Sequence, residues 1–291
     1  MDKAQYTIGF SNLSEQIPFS VTVRKGLEAA AAQYPDLKLI VRDNDLNSDK
    51  ARSNVEEFCR LPVDLAMIYH IDEHTGMSLG TTLMTHKIPV IAIDIPIRWT
   101  VFFGINNEKA GFLAGKALGQ WINENWAGKV DKVLAITEQR VSSTVGVRVE
   151  SALKGLASQV EYTDDAVFYV DGGSDRRQAE RVTSVVLDRW ADLHNIAIIG
   201  YNDDSALGAL DAARSLRRVA DIAVIGQGAN LAPEEFKKSD TRFIASTAYY
   251  PERYGNQLID LALRMLQGER VPRENLIDPA IVTARQFMPQ R

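Results

Sequence analysis

The chain has 291 residues, 24% of them charged and 45% hydrophobic, with a formal net charge of −5, the composition of a globular protein rather than a disordered or membrane-embedded one. That length leaves room for two domains, each with its own core. Mild acidity without a concentrated basic face argues against nucleic acid as a partner: Arg217-Arg218 and Lys237-Lys238 are isolated pairs, expected on the solvated surface.

A single cysteine, Cys59, excludes an intrachain disulfide, and the helical pattern around it predicts a buried structural thiol. No apolar run reaches the length of a membrane span. The segment from Met1 to Tyr6 lacks the apolar region of a signal peptide, so the chain is expected to be cytosolic or to have lost an export segment.

Short β-rich runs alternate with helix-period segments, the rhythm of βαβ units. The first strand is expected at Tyr6 to Phe10, followed by a helix from Ser20 to Tyr34 with Val23, Leu27, Ala30 and Ala31 on its apolar face. Strands at Leu37 to Val41, Leu65 to Tyr69 and Pro89 to Ile93 come next, separated by helices ending near Arg60 and His86. After Val101-Phe-Phe-Gly104 the rhythm restarts with a helix from Asn107 to Trp126 and a strand at Val133 to Ile136. Further strands fall near Val167, Ile198, Val224 and Phe243 to Ser246, and Pro251 opens a last helix ending near Gln267-Gly268. The chain closes on Leu276 to Ile281.

Two βα arrays in succession predict an α/β protein of two doubly wound parallel-sheet lobes. Residues 1–104 plus 249–278 would form an N-terminal lobe, and 105–248 plus 279–291 a C-terminal lobe. With no Gly/Ser- or Pro-rich linker, the crossings would be short segments near Gly104, Tyr249 and Asp278 that together make a multi-strand hinge, and a cleft between strand ends would close by rigid-body rotation. In such sheets ligands sit outside the carboxyl ends of the strands. The stretch from Ile196 to Gly208 fits that address, because an apolar strand runs into Asn202, Asp203 and Asp204 where a helix begins.

Catalytic constellations are scarce. His70 and His74 have the spacing of a helical zinc pair but follow a strand among loop-like residues, and no metal site is expected. The Gly111 to Lys116 run lies inside a helix and is a residue short of a phosphate loop; no nucleophile elbow and no dinucleotide fingerprint occur. No enzymatic activity and no cofactor are expected.

Five segments carry a resemblance: Ile17 to Gly26, Ile88 to Asp94, Gly104 to Gly111, Arg148 in the helix beginning near Thr144, and Asn202 to Gly208. In their order and spacing the chain resembles the type I periplasmic solute-binding proteins of the ribose-binding class, a fold shared with lactose-repressor cores. The resemblance covers nearly the whole chain. It implies a receptor of an ABC-type importer, periplasmic or at the cell surface, monomeric, that takes a monosaccharide, polyol or cyclitol and presents it to a membrane permease. It also implies that Asp94, Arg148 and Asn202 contact the ligand, that Phe19 packs on a sugar face, and that Gln16 falls beside a polar contact of the same loop. Two positions depart from the pattern: Gln227 stands where sugar binders of this class usually place an aspartate, and Tyr249 where many carry a glutamine, which puts ribose itself in doubt.

These residue types suit the chemistry. A carboxylate accepts hydroxyl hydrogens in short charge-assisted bonds, guanidinium offers a planar donor fork, and asparagine both donates and accepts. Each also has a plainer reading: Asp94 as a turn residue, Asn202 as a helix cap with Asp203 or Asp204 sharing that role, Phe19 as core, and Trp99, Phe102 and Phe103 as packing between lobes. A ligand-sensing domain of the same fold is the functional alternative; a full-length repressor would carry a helix-turn-helix ahead of the first strand, where only about five residues stand.

Overall fold

The computed structural model describes residues 6–140 and 143–287, so the reading of Met1 to Gln5 lies outside the described residues. The chain divides into two compact units. The first runs to Ile105 and adds Tyr250–Ile277; the second comprises Asn106–Gln139, Val145–Tyr249 and the chain from Asp278 onward. The short stretch Arg140–Thr144 is grouped with the first unit, and the main passages of the chain between units fall after Ile105, after Tyr249 and after Ile277.

The first unit holds β1 (Tyr6–Asn12), α1 (Pro18–Ala31), β2 (Leu37–Asp43), α2 (Ser48–Arg60), β3 (Leu65–Ile68), α3 (Glu73–Thr85), β4 (Val90–Ile93) and β5 (Val101–Ile105). The second holds α4 (Asn107–Trp126), β6 (Lys132–Thr137), α5 (Ser143–Ala157), β7 (Val167–Asp171), α6 (Arg176–Arg189), β8 (Ile196–Ile199), α7 (Asp203–Ser215), β9 (Ile222–Gly228), α8 (Ala232–Phe236) and β10 (Phe243–Ala248). Helix α9 (Tyr254–Leu266) and β11 (Glu274–Ile277) return to the first unit, and β12 (Ala280–Thr283) to the second.

Each unit is built on a six-stranded sheet, ordered β2-β1-β3-β4-β5-β11 in one and β7-β6-β8-β9-β10-β12 in the other. All pairings are parallel except that of β10 with β12. The order reverses at β1/β3 and at β6/β8, the switch points where a doubly wound sheet opens a crevice at its strand ends. Strands β3, β4 and β8 are apolar and buried along their whole length, as helices on both faces require. Phe58, Leu79, Leu83 and Ile68 centre the core of the first unit, and Leu134, Ile198, Leu210, Phe236 and Phe243 that of the second.

Local chemistry sets the helix ends. Asn47 caps α2 by accepting from the backbone N–H groups of Asp49 and Lys50, Asp72 caps α3 through Thr75, and Pro18 opens α1 where its missing N–H costs nothing. A 3-10 turn, Pro251–Arg253, leads into α9. Two expectations about burial are corrected. Arg218 is not solvated: its Nη1 donates to the Leu187 and Trp190 carbonyls at 2.6 and 3.0 Å, its Nη2 to Leu193, and its Nε to Asp221 at 2.9 Å, tying down the end of α6. Cys59 is only partly buried, although burial still raises its thiol pKa.

Candidate functional site

Asp94 follows β4 in the left-handed region, φ +59°, a conformation that aspartate tolerates better than most residues. Its N–H donates to the Phe103 carbonyl at 2.9 Å, extending the β4–β5 pairing by one step. Its carboxylate is turned to α9, where the Tyr254 hydroxyl donates to Oδ1 at 2.9 Å. Gly104 makes the space, because a Cβ there would lie 3.0 Å from both the Cα and Oδ1 of Asp94. Tyr254 is fully buried and packs edge-on against Phe103 and Phe19, with centroids 5.2 and 5.8 Å apart. Phe19, in the first turn of α1, thus joins Asp94 through one shared ring.

Beside this cluster the ends of β1 and β2 carry buried polar side chains that satisfy one another. Ser11 donates to Asn44 Oδ1 at 2.6 Å, Asn54 donates to the same oxygen at 3.0 Å, and Asn44 donates to the Tyr69 carbonyl at 3.2 Å. His70, just past β3 and 3% exposed, has no hydrogen-bond partner at either ring nitrogen among the described residues; burial lowers its pKa, with Asp72 opposing and Arg52 reinforcing the shift. Gln16 is exposed and donates to Asp45 Oδ1 at 2.7 Å, which places it in the loop contacts rather than in the Asp94 cluster.

In the second unit Arg148 is 8% exposed. Its Nε and Nη2 both donate to Asn107 Oδ1, at 3.0 and 2.6 Å, and its guanidinium lies 4.7 Å from the Tyr201 ring centroid and 5.4 Å from that of Tyr249. Two aromatic faces and one acceptor oxygen shared by two N–H donors hold the planar cation in one orientation. The glycines of the Gly111 to Lys116 run serve this placement. A Cβ on Gly111 would come within 2.0 Å of the Arg148 carbonyl oxygen, and one on Gly115 within 1.8 Å of that of Ala152, so α4 and α5 meet backbone to backbone.

Tyr249, 6% exposed, donates its hydroxyl proton to Gln227 Oε1 at 2.9 Å. Burial pushes the Tyr249 pKa up to about 12, so the proton stays on the phenol at neutral pH; the nearby Arg148 charge pulls the other way. Gln227 is 1% exposed and its Nε2 has no hydrogen-bond partner among the described residues.

Asn202 is the cap of α7. Its Oδ1 accepts from the Ser205 N–H at 2.8 Å while Ser205 Oγ accepts from the Asn202 N–H at 3.0 Å, a reciprocal capping box. Of the three candidates for the cap, Asn202 is the one that takes it. Asp203 is buried instead: Oδ2 accepts from the N–H groups of Leu231 and Ala232 at 3.0 Å each, and Oδ1 from the Ser246 hydroxyl at 2.6 Å. Burial raises its pKa to about 6, against the pull of those three donors. Trp99, expected as packing between lobes, is 71% exposed with φ +70°, whereas Phe102 and Phe103 are buried in β5.

Sequence reasoning missed Tyr254 and Asn107, the two residues that orient Asp94 and Arg148, and left Tyr201 open. Among the described residues no group of three or more His, Cys, Asp or Glu is placed to hold a metal ion, and no helix is long and apolar enough to cross a membrane.

A family model described as periplasmic binding protein domain matches residues 8–270. The chain belongs to this family. The periplasmic binding proteins similar to it include the ribose import binding protein of Bacillus subtilis (strain 168), 27% identical over 277 residues that cover 93% of this chain and 85% of the relative. The fold is also that of an ABC transporter solute-binding protein from Bacillus halodurans C-125 with bound myo-inositol, at TM-score 0.81 and 21% identity, covering 98% of this chain and 97% of that one. A periplasmic solute-binding protein from Actinobacillus succinogenes 130z with bound D-allose matches equally, at TM-score 0.81 and 21% identity over 97% and 99% of the two chains.

Proposed function

We propose that this member of the periplasmic binding protein family is the substrate-binding receptor of an ABC-type importer, taking a monosaccharide, polyol or cyclitol. The observation that carries the reading is Asp94: a partly buried carboxylate at a strand's carboxyl end, in a left-handed turn and oriented by Tyr254, is suited to accept the hydroxyls of a polyhydroxylated solute. Phe19 offers an apolar ring for C–H faces, and Arg148, Asn202, Gln227 and Tyr249 form the corresponding set on the second unit. The relatives' ribose, myo-inositol and D-allose support the same class of solute.

In this reading both units grip one solute, and the chain segments after Ile105, Tyr249 and Ile277 act as the hinge. A ligand shifts an open–closed equilibrium only by its extra contacts in the closed state, so residues of both units would be needed. The closed, monomeric receptor would then be presented to a membrane permease from the periplasm or cell surface. Its work is binding rather than catalysis.

Thermal-shift screening against pentoses, hexoses, polyols, cyclitols and amino acids tests the proposal, because a ligand that binds only the native state raises the melting temperature. A shift from at least one polyhydroxylated compound is expected. Shifts from amino acids alone would contradict it.

A further inference from the structure

Two buried polar groups near the carboxyl ends of neighbouring strands have no hydrogen-bond partner among the described residues: Gln227 Nε2 in β9 and Thr247 Oγ1 in β10. The two residues are directly paired in the parallel register of these strands, so they stand side by side on one face of the sheet. Tyr249, two residues beyond Thr247, reaches the same face and donates to Gln227 Oε1. Ser246, next to Thr247, serves the opposite face, where its hydroxyl is given to Asp203. The other unpartnered hydroxyls of this unit, Ser151 and Thr183, lie within helices α5 and α6 and not at a strand end.

Tyr249 sets the role of each member of the pair. Its proton occupies the Gln227 oxygen, which leaves the Gln227 amide N–H groups to donate. Burial, the largest influence on the Tyr249 phenol, raises its pKa; Arg148 and, less strongly, the Thr247 hydroxyl lower it, the effect of a Thr247 proton turned toward the phenol oxygen. Thr247 then offers its oxygen lone pairs. A donor and an acceptor buried side by side without partners are costly, and a solute hydroxyl satisfies both at once, whereas a ring oxygen only accepts and a C–H does neither.

Building on the receptor function proposed above, we infer that Thr247 is a specificity-determining residue: with Gln227 it binds one hydroxyl of the solute, whose oxygen accepts from Gln227 Nε2 and whose proton is donated to Thr247 Oγ1. A solute lacking the hydroxyl at that position leaves both groups unpaired and is selected against.

Titration calorimetry on the intact chain tests this with D-ribose, D-allose, D-glucose, myo-inositol and the polyhydroxylated compound giving the largest thermal shift, each beside its monodeoxy analogues. For a parent that binds, one analogue is expected to bind the wild type about tenfold or more weaker. Thr247→Val keeps the shape and deletes the hydroxyl. It is expected to weaken the parent about tenfold, to leave that analogue within about twofold, and to keep or raise the melting temperature without solute. Thr247→Ser, which returns a hydroxyl, is expected to restore parent binding. Gln227→Met removes the amide at similar length and is expected to lose the parent's advantage over the same analogue, so the test stands even if one variant does not fold. Parent affinity unchanged by Thr247→Val, parent and analogues weakened alike, or no analogue discriminated by the wild type would overturn this inference while leaving the receptor function intact. No binding by any compound, together with no polyol or cyclitol shift in the thermal screen, would overturn both.

Discussion

Tyr254 donates its hydroxyl proton to Asp94 Oδ1 at 2.9 Å, joining two residues 160 positions apart in the chain. The bond fixes a carboxylate whose backbone is already held in a left-handed turn, and the same tyrosine ring backs Phe19. Tyr254→Phe keeps the ring and deletes the bond. Stability is expected to fall by about 1 kcal/mol, and solute affinity to weaken several-fold as Asp94 loses its orientation. Urea denaturation and titration calorimetry on the same preparation measure both, and an unchanged affinity would show that Asp94 does not depend on this hydroxyl.

The contact between α4 and α5 has no room for a methyl group at Gly115, where a Cβ would lie 1.8 Å from the Ala152 oxygen. Gly115→Ala must push the helices apart and carry Arg148 with α5. A loss on the order of 2 kcal/mol or more is expected, beyond the usual helix gain from alanine. Gly146→Ala is the control: it is in α5, the partner helix, with nothing within 4 Å of the added Cβ, and should be neutral or stabilising by up to about 1 kcal/mol. Equal effects of the two changes in denaturation would contradict the packing account.

Asp203, fully buried in the second unit, accepts from two backbone N–H groups and a hydroxyl. Asp203→Ala leaves three donors unpaired, and a destabilisation of roughly 2–4 kcal/mol is expected. Its effect should appear in the unfolding of the second unit, read by calorimetry; a change below about 0.5 kcal/mol would mean that these bonds contribute little.

His70 gives a pH dependence with a defined sign. Its folded pKa lies below 6.5, so the unfolded chain binds the proton more readily, and the stability from keeping the ring neutral is present above 6.5 and lost as pH falls through the folded pKa. His70→Leu removes both unpartnered nitrogens and is expected to be close to neutral at pH about 7.5 while weakening the acid-side fall in melting temperature down to about pH 5. An identical fall in both proteins would contradict the assignment.

Much of the fold was legible because helix-period segments alternate with apolar runs, and α4 is found at Asn107–Trp126 as the pattern indicated. The strand ends were not. Apolar patterning stops at Phe10 and Ser246, yet β1 continues through Ser11 and Asn12 and β10 through Thr247 and Ala248, because polar side chains are buried there. Those extensions lie where the candidate site is built. Asp94, Arg148 and Gln227 were indicated by the resemblance to the ribose-binding class rather than by local pattern, whereas Tyr254 was hidden in an apolar helix and Asn107 beside a capping asparagine, since what matters about each is a partner distant in sequence. Local pattern carries no such pairing.

The central claim is that Asp94 and Arg148, one on each unit, hold the same polyhydroxylated solute. Titration calorimetry with the compound giving the largest thermal shift, on the wild type, Asp94→Ala and Arg148→Ala, tests it most directly. Each substitution is expected to weaken binding on the order of a hundredfold, about 2.7 kcal/mol, by leaving buried groups of the solute unpaired. Affinity within a few-fold of wild type in either variant would contradict the account.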